Sequence, residues 1–140
     1  MYNFFKPKPG RFGVAPVVLT VKPAFGTLSA GTVVHNLGSI PSRAFISKIS
    51  ISAGTFPAAT TVAATFRKKP SGTAVALTSA IDIDDKTAGT AVAGSFLSSL
   101  TEAQRTLNPG ETLELSVVTA GSVTAQSEDL VVSVELLVLE

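Results

Sequence analysis

The run DLVVSVELLVL, residues 129–139, restricts this chain more than any other stretch. Leu130, Val132, Val134, Leu136 and Val138 recur at every second position, and successive side chains of a β-strand point to opposite faces. A helix would scatter those five residues around its circumference, so the run reads as a strand with a buried face. Leu137 and Leu139 make the other face apolar as well. The strand is therefore expected to be central in its sheet or covered by another subunit.

The same period runs through most of the chain. ETLELSV (111–117) sets Leu113, Leu115 and Val117 against Thr112, Glu114 and Ser116. In FISKISIS (45–52), Phe45, Ile49 and Ile51 are expected on one face and Lys48, Ser50 and Ser52 on the other. VVLTV (17–21), TVVHNL (32–37), TVAATFRK (61–68) and TAVAL (73–77) are shorter runs of this kind. KPSG (69–72) reads as a hairpin turn and NPG (108–110) as a turn into the strand that follows. A Ser/Thr-Ala-Gly-Ser/Thr tetrad at 29–32, 52–55, 87–90 and 119–122 is too unevenly spaced for a repeat and marks further turns. One helical turn is open around Leu100–Arg105, with Thr101 as its cap. The expected fold is all-β: an antiparallel sandwich or jelly roll of about eight strands. The charges of FRKK (66–69) are expected to blunt one of its edges.

At 140 residues the chain has the size of one domain and can bury roughly 68% of its unfolded surface. It is 45% hydrophobic and 15% charged, which is globular rather than disordered. The net charge of +1 exerts no overall pull on nucleic acid or an anionic membrane, and neither is expected as a partner. Yet the charges are segregated. Residues 1–81 carry nine Lys or Arg and no acid, whereas 82–140 carry two bases against ten acids. Either the two halves interleave and neutralise one another, or one face is basic and another acidic, which favours subunits packing edge to edge. With no cysteine there is no disulfide framework, thiolate site or thiol nucleophile. Neither a secretory signal nor an apolar run of membrane-spanning length is legible.

Residues that could carry chemistry are few. His35, the single histidine, lies within the strand pattern VVHNL, where a solvated or hydrogen-bonded role is the ordinary one. No G-x-S-x-G elbow and no glycine-rich phosphate loop occurs. The acidic cluster Asp82, Asp84 and Asp85 offers hard oxygen ligands. Lys86 beside it and the lack of a glycine-centred loop favour a solvated strand end over a metal site. No catalytic residue, cofactor or metal is expected, and the chain does not read as an enzyme.

The opening MYNFFKPKPGRFG is unlike the rest. Tyr2, Phe4, Phe5 and Phe12 are four of the nine aromatic residues, and Lys6, Lys8 and Arg11 stand among them without an acid. The two Lys-Pro pairs impose extended backbone. An extended segment cannot bury its own rings, so they are expected to dock on the parent domain or on a neighbouring molecule. A buried Phe contributes roughly 1.5–3 kcal/mol. The organisation expected is an arm, 1–13, followed by one sandwich domain, 14–140, with the seven arm residues as a partner-binding site.

The succession ISKISISAGTFPAATTVAATFRKKPSGTAVALTSAIDID, RTLNPGETLELSVVTAG and SEDLVVSVELLVL resembles small jelly-roll structural proteins of tailed bacteriophages over residues 45–139. Within that group, capsid decoration (cement) proteins are the nearest in pattern. The resemblance implies a non-enzymatic virion component on the head surface, partnered by major capsid protein and by itself, with a trimer favoured. It also leaves room for a minor virion protein such as a head fibre, tail or adsorption module. A stand-alone ligand-binding sandwich is a third class.

Overall fold

In the computed structural model, residues 16–21, 30–54, 60–84, 89–121 and 130–139 are described. Their order along the chain is β1 (Pro16–Val21), β2 (Gly31–Ser39), β3 (Ala44–Ser52), β4 (Thr60–Lys69), β5 (Val75–Ala76), β6 (Ile81–Asp82), β7 (Val92–Ala93), β8 (Thr106–Leu107), β9 (Thr112–Gly121) and β10 (Val131–Val138). One sheet runs β1-β10-β3-β7, with β8 also on β3; the other runs β2-β9-β4-β5, with β6 also on β4. Each of these pairings is antiparallel. If β5 with β6, and β7 with β8, are each taken as one interrupted strand, the chain alternates between sheets at almost every connection. That is the double Greek key of a jelly roll.

The sequence period explains which residues face inward. Val132, Val134 and Leu136 of β10, Leu113, Leu115 and Val117 of β9, and Val62, Ala64 and Phe66 of β4 are all buried in one core. β10 is central, between β1 and β3, as its two apolar faces require. The hairpin at KPSG joins β4 to β5. NPG turns at Gly110, whose φ of 87° lies in the left-handed region that glycine tolerates. The turn after Leu100 forms a capping box: Gln104 N–H donates to Thr101 Oγ1 at 3.2 Å, and Thr101 N–H donates to Gln104 Oε1 at 2.9 Å.

Two expectations require correction. Phe45 does not share a face with Ile49 and Ile51. Glu135 pairs with Lys48 but Leu136 with Ile46, so Ser47 is an extra residue in β3. This bulge shifts the phase, and the inward set becomes Ala44, Ile46, Ile49 and Ile51, with Phe45 turned outward. Nor does FRKK guard an edge. β4 is flanked by β9 on one side and by β5 and β6 on the other. Arg67 is 2.9 Å from Glu114, Lys69 is 3.9 Å from the same carboxylate, and Lys68 points into the sandwich and is buried. Among the described residues the long edge strands are β1 and β2, which expose Val17, Val18, Val33 and Val34.

The charge segregation also resolves here. β4, from the basic half, lies directly against β9, from the acidic half, and Lys48 of β3 stands opposite Glu135 of β10. Among the described residues the halves interleave.

Candidate functional site

The connectivity gathers its chemistry at the end of the sandwich where the 98–111 connection lies. The single turn at 101–105 packs its residues against both sheets. Lys68, the last inward-facing side chain of β4, reaches the turn from inside: its Nζ donates to Thr106 O at 2.8 Å and to Ala103 O at 3.1 Å, and lies 3.2 Å from Glu111 Oε2. Glu111 also accepts from Asn108 N–H at 2.9 Å and from Asn108 Nδ2 at 3.2 Å. Burial pushes the Glu111 carboxyl up, but the Asn108 donors and the Lys68 ammonium outweigh it and hold the group below its ordinary value. The pair is an internal latch between β4 and the turn before β9.

On the outer face of the other sheet, Arg105 is the centre. Its guanidinium carbon stacks 3.8 Å from the Phe96 ring centroid and 4.6 Å from that of Phe45. Its Nη2 donates to Ile46 O at 2.9 Å and Ser47 O at 3.2 Å, the carbonyls beside the bulge. Ser47 Oγ in turn donates to Glu135 Oε1 at 2.9 Å. Phe45, Leu100, Glu102, Arg105, Leu137 and Leu139 enclose a groove of about 480 Å³. A second hollow of about 400 Å³, lined by Arg43, Glu102, Ala103, Thr106 and Asn108, adjoins it across Glu102. Its lining is polar, and its cations and anions are close enough in number to leave no strong field.

The residues singled out from sequence fall elsewhere. Tyr2, Phe4, Phe5, Lys6, Lys8, Arg11 and Phe12 lie outside the described residues, and so does Asp85. Ile81 and Ile83 are buried while Asp82 between them is exposed. Asp84 is used internally, its Oδ1 accepting Val62 N–H at 2.7 Å. Among the described residues no group of three His, Cys, Asp or Glu side chains is placed to hold a metal ion. His35 sits opposite Leu115 on the inward side of the edge strand β2, half-buried. Burial pushes its imidazole pKa below the ordinary value. Sequence reasoning missed Arg105, Lys68 and Glu111. RTLNPGE carried the signal, since a Glu three residues after Asn108 can close the turn on itself, but the reach from Lys68 to it is a tertiary fact.

Among the described residues, parts of the four tetrads meet in two pairs. Gly31 of the first pairs with Thr119 of the fourth, and Gly89 of the third donates its N–H to Ala53 O of the second at 2.9 Å. They mark the end of the sandwich opposite the 101–105 turn.

No protein-family model matches this sequence, and no curated protein matches it. Among solved structures, a chain from the structure of infectious bursal disease virus Gx strain overlaps at a TM-score of 0.42 with 19% identity, over 86% of this chain and 32% of the other. A chain from the Gt strain structure gives 0.37 and 19%, over 88% and 31%. This chain thus spans about a third of the length of the chains it overlaps, and its function has to be read from its own residues.

Proposed function

We propose that this chain is a non-enzymatic decoration, or cement, protein of a tailed-phage head. In this reading the domain 14–140 sits on the outside of the shell. The arm, 1–13, docks on major capsid protein or a neighbouring subunit, and the chain acts as a homo-oligomer, with a trimer favoured. The observation that carries the reading is the jelly-roll strand order, joined to what the charged side chains are doing. Lys68, Glu111, Arg105, Glu114 and Asp84 each hold a turn, a bulge or a neighbouring strand. That is how a rigid block is built, with its adhesive residues in an appended arm. Many copies on a shell would add weak contacts into a strong net effect.

A second reading rests on a separate feature. The described strand ends that flank FGTLSAG, SAGTFPAAT and DKTAGT lie at one end of the sandwich. A receptor-contacting tip of a head fibre, tail or adsorption module would be built from the segments that join them. Counting copies per DNA-filled particle by quantitative mass spectrometry separates the two. Hundreds per head support decoration, and a handful moves the chain to the second reading. Absence from particles overturns both and points to a stand-alone ligand-binding domain. For the decoration reading, deleting residues 1–13 should leave a folded domain that no longer binds bare heads; saturation by the truncated chain would refute the clamp.

A further inference from the structure

We infer that the outer-face groove of Phe45, Leu100, Arg105, Leu137 and Leu139 is the seat of Phe12 from the same chain, so that the arm is anchored at its root and only its outer part, with Tyr2, Phe4 and Phe5, is left to grip a partner. The inference concerns the isolated chain and is independent of whether that partner is a capsid. Its first support is position. β1 begins at Pro16, opposite Leu137 of β10, and Leu137 is itself a wall of the groove. The chain therefore enters the described fold at the groove's rim.

The second is reach. Phe12 stands four residues before Pro16, and at ~3.3 Å per residue it can reach about 13 Å. Phe45 belongs to β3, two strands away from β1, a separation of about 10 Å at ~4.8 Å per strand. The span is covered without full extension. Size and charge agree as well. A cavity of about 150 Å³ holds a benzene ring, so a groove of about 480 Å³ accepts a phenylalanine ring and adjoining backbone. Glu102, on the rim, makes no ion pair with any described residue, and the residue preceding Phe12 is Arg11. The Nε–H of Arg105 is buried with no acceptor among the described residues, so a main-chain carbonyl of the seated arm has a donor to meet.

The chain has no cysteine, which makes the test direct. Gly13→Cys with Ser99→Cys places thiols on the arm root and on the exposed turn beside Leu100 while leaving every groove residue intact. Gly13→Cys with Thr61→Cys is the control, since Thr61 is exposed near the tetrad end of the other sheet. A short bis-maleimide is added to the purified full-length variants, with circular dichroism checking that each is folded. The 13–99 pair should link within one chain at least about tenfold faster than the 13–61 pair, the advantage expected of local effective concentration. Adding Phe12→Ser should abolish that advantage. Links formed between chains would show that a second copy's arm fills the groove and overturn the inference. Equal rates for the two pairs, or an advantage that survives Phe12→Ser, would overturn it too. No particle is involved, so failure of the virion reading leaves this result untouched.

Discussion

Replacing Lys68 with methionine keeps an unbranched apolar stem as far as Cε and deletes the ammonium group with its charge. Three partners then lose their cation: Thr106 O at 2.8 Å, Ala103 O at 3.1 Å and Glu111 Oε2 at 3.2 Å. Each charge-assisted hydrogen bond contributes about 1.5–3 kcal/mol. Glu111 retains its Asn108 donors and some access to water, so its share sits at the low end. Methionine regains about 1 kcal/mol by burying its own apolar end. The net expectation is a loss of about 4 kcal/mol, or a fall of roughly 12 °C in Tm for a domain of this size. Glu111→Gln alone should cost about 1–2 kcal/mol. Because both substitutions break the same contact, the double variant should be less destabilised than the sum by about 1–2 kcal/mol. Urea unfolding of the four proteins at neutral pH measures the cycle. Additivity within about 0.5 kcal/mol, or a Lys68→Met loss below about 1 kcal/mol, would refute the latch.

The same pair sets a pH dependence with a definite sign. The Glu111 carboxyl titrates lower in the folded chain than in the unfolded one. In the acid range the unfolded state therefore binds its proton first, and stability rises with pH. That contribution is complete above the ordinary carboxylate range and is lost as pH falls through the folded value. Glu111→Gln should flatten this part of the stability profile, and the penalty of Lys68→Met should shrink there.

Two further outcomes follow from other sites. Burial lowers the His35 pKa, so below its ordinary value of about 6.5 the unfolded state takes up the proton first and stability falls with acidification; His35→Gln should remove that slope between neutral and mildly acid pH, and a parallel profile would exclude His35 as its source. Arg105→Met should cost about 2–4 kcal/mol by removing two ring contacts and two hydrogen bonds to the bulge carbonyls, and Arg105→Lys should recover little of it, since an ammonium cannot stack and fork at once; a lysine variant as stable as the parent in urea unfolding would refute the stacking account.

How much of the fold can be read from the residues alone depends on range. Alternation in DLVVSVELLVL and ETLELSV is a local property, so β10 and β9 and their buried faces are legible at once. So is the capping box at Thr101, whose two partners are three residues apart. The bulge at Ser47 is not, because an extra residue in β3 is defined only against its partner β10. Without it, Phe45 falls in phase with Ile49 by simple counting, and the outward ring that lines the groove is lost from view. Lys68 escapes notice for a related reason. Three consecutive cations read as a solvated edge, since burying a lysine is unfavourable unless it is paired, and its partners Ala103, Thr106 and Glu111 lie far along the chain.

The jelly-roll connectivity turns the charge segregation into an assembly device within the monomer. Because the chain crosses between sheets at nearly every connection, β4 and β9 come from opposite halves yet pair over ten consecutive residues. The one long ladder thus brings Arg67, Lys68 and Lys69 alongside Glu111 and Glu114. A one-residue slip would send Lys68 to the outside and Arg67 into the core, exchanging a satisfied cation for an unpaired one. Ion pairs on this ladder therefore fix register as much as they add stability. β1 and β2, which have no such pairs, are the long edge strands among the described residues, so the ladder that carries the ion pairs lies inside its sheet and not at its rim.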